Sequence, residues 1–140
     1  INNITRIRDC AGDRAALRAL HFVCENERVK EEVDALRKNN FPQFLTKVKE
    51  SGDSSFKYLQ NVYTCHDVQH QNVSIALALS DLIFGEKGVC RVHGGGFAGT
   101  IQAFVPNYLV SNYQKEMDKV FGKASCEVLK IRKYGGIKVL

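Results

Sequence analysis

The chain has 140 residues, 44% hydrophobic and 25% charged, with a formal net charge of +5. That is enough chain for a single packed core, and the composition is ordinary for a globular protein, so one domain over residues 1–140 is expected. No apolar run reaches the roughly 18 residues of a membrane span, and the opening INNITRIRDC lacks the basic-then-apolar plan of a signal peptide; a cytoplasmic domain with no membrane partner follows.

Five cysteines (Cys10, Cys24, Cys65, Cys90 and Cys126) are odd in number and widely scattered, which favours reduced thiols over a disulfide scaffold or a zinc ribbon. The basic residues alternate with acids along the helical stretches, so nucleic acid is not an expected partner. The chain opens on Ile1 rather than methionine, which reads as a processed product or a fragment.

Residues 13–38, DRAALRALHFVCENERVKEEVDALRK, contain no glycine or proline and predict one long helix, or two abutting ones. Leu17, Leu20 and Cys24 form one apolar stripe, and Val29, Val33 and Leu36 a second that is slightly out of phase. Pro42 suits the first turn of a second helix, with Phe41, Phe44, Leu45 and Val48 on one side and an end near Gly52. Asp53 then suits an N-cap for a short helix carrying Phe56, Leu59 and Tyr63. After the polar run TCHDVQHQN, residues Val73, Ala76, Leu77, Ser80, Ile83 and Phe84 mark a core helix that stops before Gly85.

From Gly88 the apolar period shortens to two. GVCRVH and TIQAFV read as strands on either side of a glycine-rich loop. Leu109, Tyr113, Met117, Val120 and Phe121 line a helix ended by Gly122. CEVLKIR reads as a third strand and IKVL as a fourth. The expected fold class is therefore α+β, with several N-terminal helices on one face of an antiparallel sheet of β-β-α-β, ferredoxin-like order.

The loop RVHGGGFAG, with Gly94, Gly95, Gly96, Phe97, Ala98 and Gly99, is the candidate site. Glycines can adopt positive φ and let successive N–H groups point into one concavity suited to phosphate oxygens, although a plain hairpin turn has the same composition. It is not a Walker A loop, because no Gly-Lys-Ser/Thr and no helix follow. Nor is it the dinucleotide fingerprint, since a strand follows where that motif needs a helix.

RVHGGGFAGTIQAFVP, preceded by SIALALSDLIFGEKGVC, resembles the glycine-rich third motif of the GHMP kinases, in its galactokinase form. The likeness extends through RALHFVCENERVKEEVDAL, FPQFLTKVKESGDSSFKYLQNVYT and YQKEMDKVFGKASCEVLKIRKYGG. His93 stands where many members have threonine, and Ala98 where they have glycine. A methyl group at Ala98 is compatible with a phosphate nest only at negative φ.

The resemblance implies a GHMP kinase C-terminal domain. In such kinases the γ-phosphoryl group of MgATP passes to the anomeric hydroxyl of galactose, giving α-D-galactose 1-phosphate. The sugar-binding GRxNLIGEH-like motif, the serine-rich phosphate loop and the catalytic aspartate of that family are not found in these 140 residues. The resemblance therefore implies that Gly94–Gly99 form one wall of a cleft and that no catalytic residue lies in this chain. ATP and Mg2+ are implied as cofactors, held mainly by a missing N-terminal half, which is the implied partner domain. The alternatives are the same domain of an N-acetylgalactosamine, arabinose or galacturonate kinase, or a stand-alone ferredoxin-like ligand-binding or regulatory module.

Three minor candidates accompany the loop. Cys65, His66 and His70, and Cys90 with His93, are zinc-ligand types without the second cysteine pair of familiar zinc patterns. His21, in an apolar setting, reads as a structural histidine with a partner. Lys130, Arg132, Lys133 and Lys138 read as a lysine-protected sheet edge rather than an RNA surface.

Overall fold

A computed structural model describes residues 2–97 and 99–131. Gly12, at φ 83°, separates a first helix, α1 (Ile4–Ala11), from α2 (Asp13–Arg37), which runs as one helix over the stretch that lacks glycine and proline. The inward side of α2 is not built from the two apolar stripes. Ala16, His21 and Ala35 are buried, whereas Val29, Val33 and Leu36 are exposed.

Helix α3 (Phe41–Ser54) starts where Pro42 indicates, with the Asn40 side chain accepting the Gln43 N–H at 3.2 Å as an N-cap. It does not stop at Gly52, and Asp53 caps nothing. The helix passes through both residues and continues as a π-helical turn, Ser55–Leu59, which ends at Gln60 in a left-handed conformation with φ 53°. Gly52 is a packing residue: a Cβ there would lie 3.0 Å from Arg91 Cβ and 3.3 Å from the Cys90 carbonyl oxygen. The missing side chain lets α3 come down onto the first strand.

Helix α4 (Asn72–Phe84) buries Val73, Ala76, Ser80 and Phe84 and ends at Gly85. Strands β1 (Val89–Val92) and β2 (Ile101–Phe104) pair antiparallel, Val89 with Phe104 and Val92 with Ile101. A short turn of 3-10 helix then leads into α5 (Val110–Phe121), which ends at Gly122.

The ribbon is covered on both faces, not one. Alternation sends Cys90, Val92, Ile101 and Ala103 one way, into clusters with Ala76, Phe84, Tyr113 and Met117 and with Val62 and Val73. Phe84 and Tyr113 stack there with ring centroids 5.9 Å apart. Arg91 and Phe104 point the other way, Arg91 to Ser51 and Phe104 to the edge of Phe44 on α3.

The expected third strand is not formed over residues 126–131, which follow α5 without regular structure. Their anchors belong to α5 rather than to the edge of β2. Asp118 Oδ1 accepts from both the amide and the hydroxyl of Ser125, and Gln114 Nε2 donates to the Cys126 carbonyl at 3.2 Å. A cavity of about 610 Å³, lined by Ile101, Val105, Met117 and Leu129 among others, lies between this segment, β2 and α5. The architecture is thus α+β, with five helices and a two-stranded antiparallel sheet among the described residues. The expected fourth strand, IKVL, lies outside them, as do Arg132, Lys133 and Lys138 of the basic tail.

Candidate functional site

The loop hangs from the end of the hairpin. Beyond the last ladder pair, Val92 with Ile101, the His93 amide donates to the Thr100 carbonyl at 3.1 Å and closes the neck. Positive φ follows at Gly94 (65°), Gly96 (73°), Phe97 (54°) and Gly99 (88°). Glycine meets this need at three of the four positions; Phe97 adopts it against the ordinary preference of a bulky L-residue. Ala98 lies outside the described residues, so the requirement on its φ has no counterpart here.

The loop is offered to solvent, and Phe97 keeps 56% of its surface exposed. Its contact with the body of the fold is Asn61, which is 3% exposed. The Asn61 carbonyl accepts the Phe97 N–H at 3.0 Å, and Asn61 Nδ2 donates to the Gly95 carbonyl at 3.2 Å. The amides of Gly94, Gly95 and Gly96 meet no acceptor among the described residues. Free main-chain N–H groups on an exposed glycine loop suit an anion such as a phosphate group.

Behind the loop, a partly buried polar cluster holds β1. The Arg91 guanidinium donates to Ser51 Oγ and lies 3.4 Å from Glu25 Oε1. Glu25 also accepts from Ser51 and pairs with Arg28, while His21 Nδ1 meets Ser54 Oγ at 2.9 Å. His21, Glu25, Arg28 and Glu32 recur at helical spacing, so one face of α2 carries the whole row. Burial pushes the Glu25 carboxyl up, yet the Ser51 hydroxyl, Arg28 and Arg91 outweigh it and hold the group below its ordinary range. Burial, aided by Arg28 and Arg91 and opposed by Glu25, lowers His21. Glu32 moves up through burial and the neighbouring Glu25 charge. The cluster is a clamp on the strand that enters the loop, and nothing in it reaches the loop itself.

The expectation for His21 as a partnered structural histidine holds. The zinc candidates do not come together: residues 66–70 are not helical, His70 pairs with Asp67 at 2.7 Å, and Cys90 turns towards the Leu77 carbonyl and Asp81. Among the described residues no group of three or more His, Cys, Asp or Glu converges on one point. No helix among them is long and apolar enough to cross a membrane. Sequence reasoning missed Asn61 and Arg91; the row His21, Glu25, Arg28 was the one available signal for the latter, because inward charges need a counter-charge.

These features define an α+β domain built round one hairpin, with a clamped strand feeding an exposed glycine loop. The chain is related to part of galactokinase. It is 35% identical to the galactokinase of Haemophilus influenzae over 101 residues, 72% of this chain and 24% of that protein. Against the galactokinase of Glaesserella parasuis it is 31% identical over 107 residues, 71% of this chain and 26% of the relative. For the galactokinase of Mannheimia succiniciproducens the figures are 30% over 109 residues, 72% and 26%. The chain therefore spans about a quarter of the length of the curated relatives it matches. No protein-family model matches it.

Proposed function

We propose that the chain is the C-terminal domain of a galactokinase, the enzyme that phosphorylates D-galactose to α-D-galactose 1-phosphate with ATP. The observation that carries this is the match to several galactokinases across most of the chain, joined to a glycine loop with unpaired amides where the resemblance puts the third motif. In this reading Gly94–Gly99 form one wall of the cleft. The other wall, which binds most of MgATP, selects the sugar and carries the catalytic aspartate, belongs to the N-terminal portion. Phosphoryl transfer depends on positioning and charge stabilisation, so a domain that supplies one wall does no chemistry alone. ATP, once bound, supplies the transferable phosphoryl group; this chain's part is to offer N–H donors from a fixed loop.

A chimera tests this. The chain replaces the matching quarter of the Haemophilus influenzae galactokinase, and ADP release is followed with galactose and MgATP. Turnover by the chimera and none by the chain alone are expected. A folded but inactive chimera, or turnover by the chain alone, refutes the assignment. The second reading, a stand-alone binding module, predicts the inactive chimera.

A further inference from the structure

We infer that Asn61 is the positioning residue of the glycine loop, holding its free amides in place for an anionic phosphate group; the ligand half of this inference rests on the cleft reading above.

The contact brackets Gly96 from two sides. The main-chain carbonyl of Asn61 takes the Phe97 N–H at 3.0 Å, and its side-chain Nδ2 reaches the Gly95 carbonyl at 3.2 Å. Between them Gly96 lies flat against the asparagine: a Cβ there would stand 2.2 Å from the Asn61 carbonyl oxygen and 2.7 Å from its Cβ and Cγ. Nothing at that point can give way, because Asn61 is sealed at 3% exposure and the nearest atom is main chain. The neighbouring glycines are open: a Cβ at Gly94, Gly95 or Gly99 would meet no atom of the described residues within 4 Å. Beyond the neck closed by His93 and Thr100, the described part of the loop is thus fixed at one place.

Asparagine suits that place for a chemical reason. Gly95 presents a carbonyl oxygen, so the facing group must donate, which an aspartate carboxylate cannot do and would repel. Asn61 Oδ1 is buried and meets no donor among the described residues, which is the cost of that choice. Phe97 carries a second cost at φ 54°, and its N–H to Asn61 is the bond that keeps it there. Two local penalties held by one residue mark a preorganised loop rather than a slack turn. Asn61 is itself fixed from behind by the left-handed Gln60 that ends the π turn and by Val62, buried in the core with its carbonyl bonded to Ser74 Oγ at 3.1 Å.

The test uses the 15N-labelled chain with two independent readouts. Amide exchange at Phe97 reports the bracket without any ligand, and titration with pyrophosphate reports the anion site. Asn61→Ala keeps the main-chain acceptor of Phe97 but removes the donor to the Gly95 carbonyl, so the bracket opens more readily: Phe97 should exchange about tenfold faster, the worth of that one hydrogen bond, and pyrophosphate should bind correspondingly more weakly. Asn61→Asp should match it at pH 8 but recover in acid, where the introduced carboxyl is protonated and can donate to Gly95; a merely structural loss has no such pH profile. Gly96→Ala should abolish both the protection and the binding. Exchange at Phe84 checks that each variant is folded. Unchanged exchange at Phe97 in a folded Asn61→Ala overturns the positioning role. A protected Phe97 in a wild-type chain that does not bind pyrophosphate overturns the anion site and leaves the galactokinase assignment to be judged by the chimera.

Discussion

Gly52→Ala sets helix propensity against packing, and the structure says which wins. In an unconstrained helix the change stabilises by about 1 kcal/mol. Here the new Cβ arrives 3.0 Å from Arg91 Cβ and 3.3 Å from the Cys90 carbonyl, against roughly 3.5–4.0 Å for a relaxed carbon contact. The strand cannot retreat easily, because β2 pairs with it on one side and the Arg91 guanidinium is held by Ser51 and Glu25 on the other. Overpacking of this kind costs about 1–3 kcal/mol, so the net is a loss of about 1 kcal/mol. Urea unfolding followed by circular dichroism reads it as a lower midpoint at unchanged slope. A double-mutant cycle with Arg91→Gly, which removes the facing Cβ, should return a coupling of about 1 kcal/mol. A higher midpoint for Gly52→Ala alone would mean that Gly52 is a tolerated helix residue and that α3 does not bear on β1 as described.

Four further outcomes are expected. The His21 pKa is lowered on folding, so the unfolded chain binds the proton first, and stability falls as pH drops below the ordinary value of 6.5 towards the folded one; His21→Gln flattens that limb in pH-dependent urea melts. Glu25 is also lowered, so its contribution is whole above its ordinary 4.5 and is lost as pH falls through the folded value, a loss that Glu25→Gln removes. Cys90, pushed up to about 12 by burial and the Asp81 carboxylate, should react with a thiol reagent at pH 8 only on unfolding, well after the exposed Cys10, Cys24 and Cys65. Ser80→Ala strands the buried Tyr113 hydroxyl, which Ser80 meets at 2.7 Å, and should cost about 1–3 kcal/mol, most of it recovered by adding Tyr113→Phe.

The change of period at Gly88 was legible because two-residue alternation has no helical imitation, and Gly85 and Gly122 announced their helix ends correctly. Gly52 did not, since a glycine that stops a helix and one that lets a helix touch a strand look alike in sequence. The face of α2 was misjudged for a related reason. Charges at helical spacing ordinarily mark the solvated side, and the partners that turn that row inward, Ser51, Ser54 and Arg91, are distant in sequence, Arg91 lying 66 residues beyond Glu25. The third strand was expected from β-branched residues alone, whereas Asp118 and Gln114 tie the segment to α5. The glycine loop was found by composition, but Asn61 stands alone in LQNVY, with no period or pair to single it out. The bracket exists only once the π turn has brought α3 to the hairpin tip.

The inward charges of α2 have a thermal consequence. Hydration of ions weakens as water warms, so the penalty for keeping Glu25, Arg28 and Arg91 out of water shrinks with temperature, while apolar burial gains little more. On heating, the seam between α2 and α3 holds its strength as the stacked pair Phe84 and Tyr113 loses relative advantage. The strand that enters the loop is gripped by the part of the molecule that tolerates warmth best.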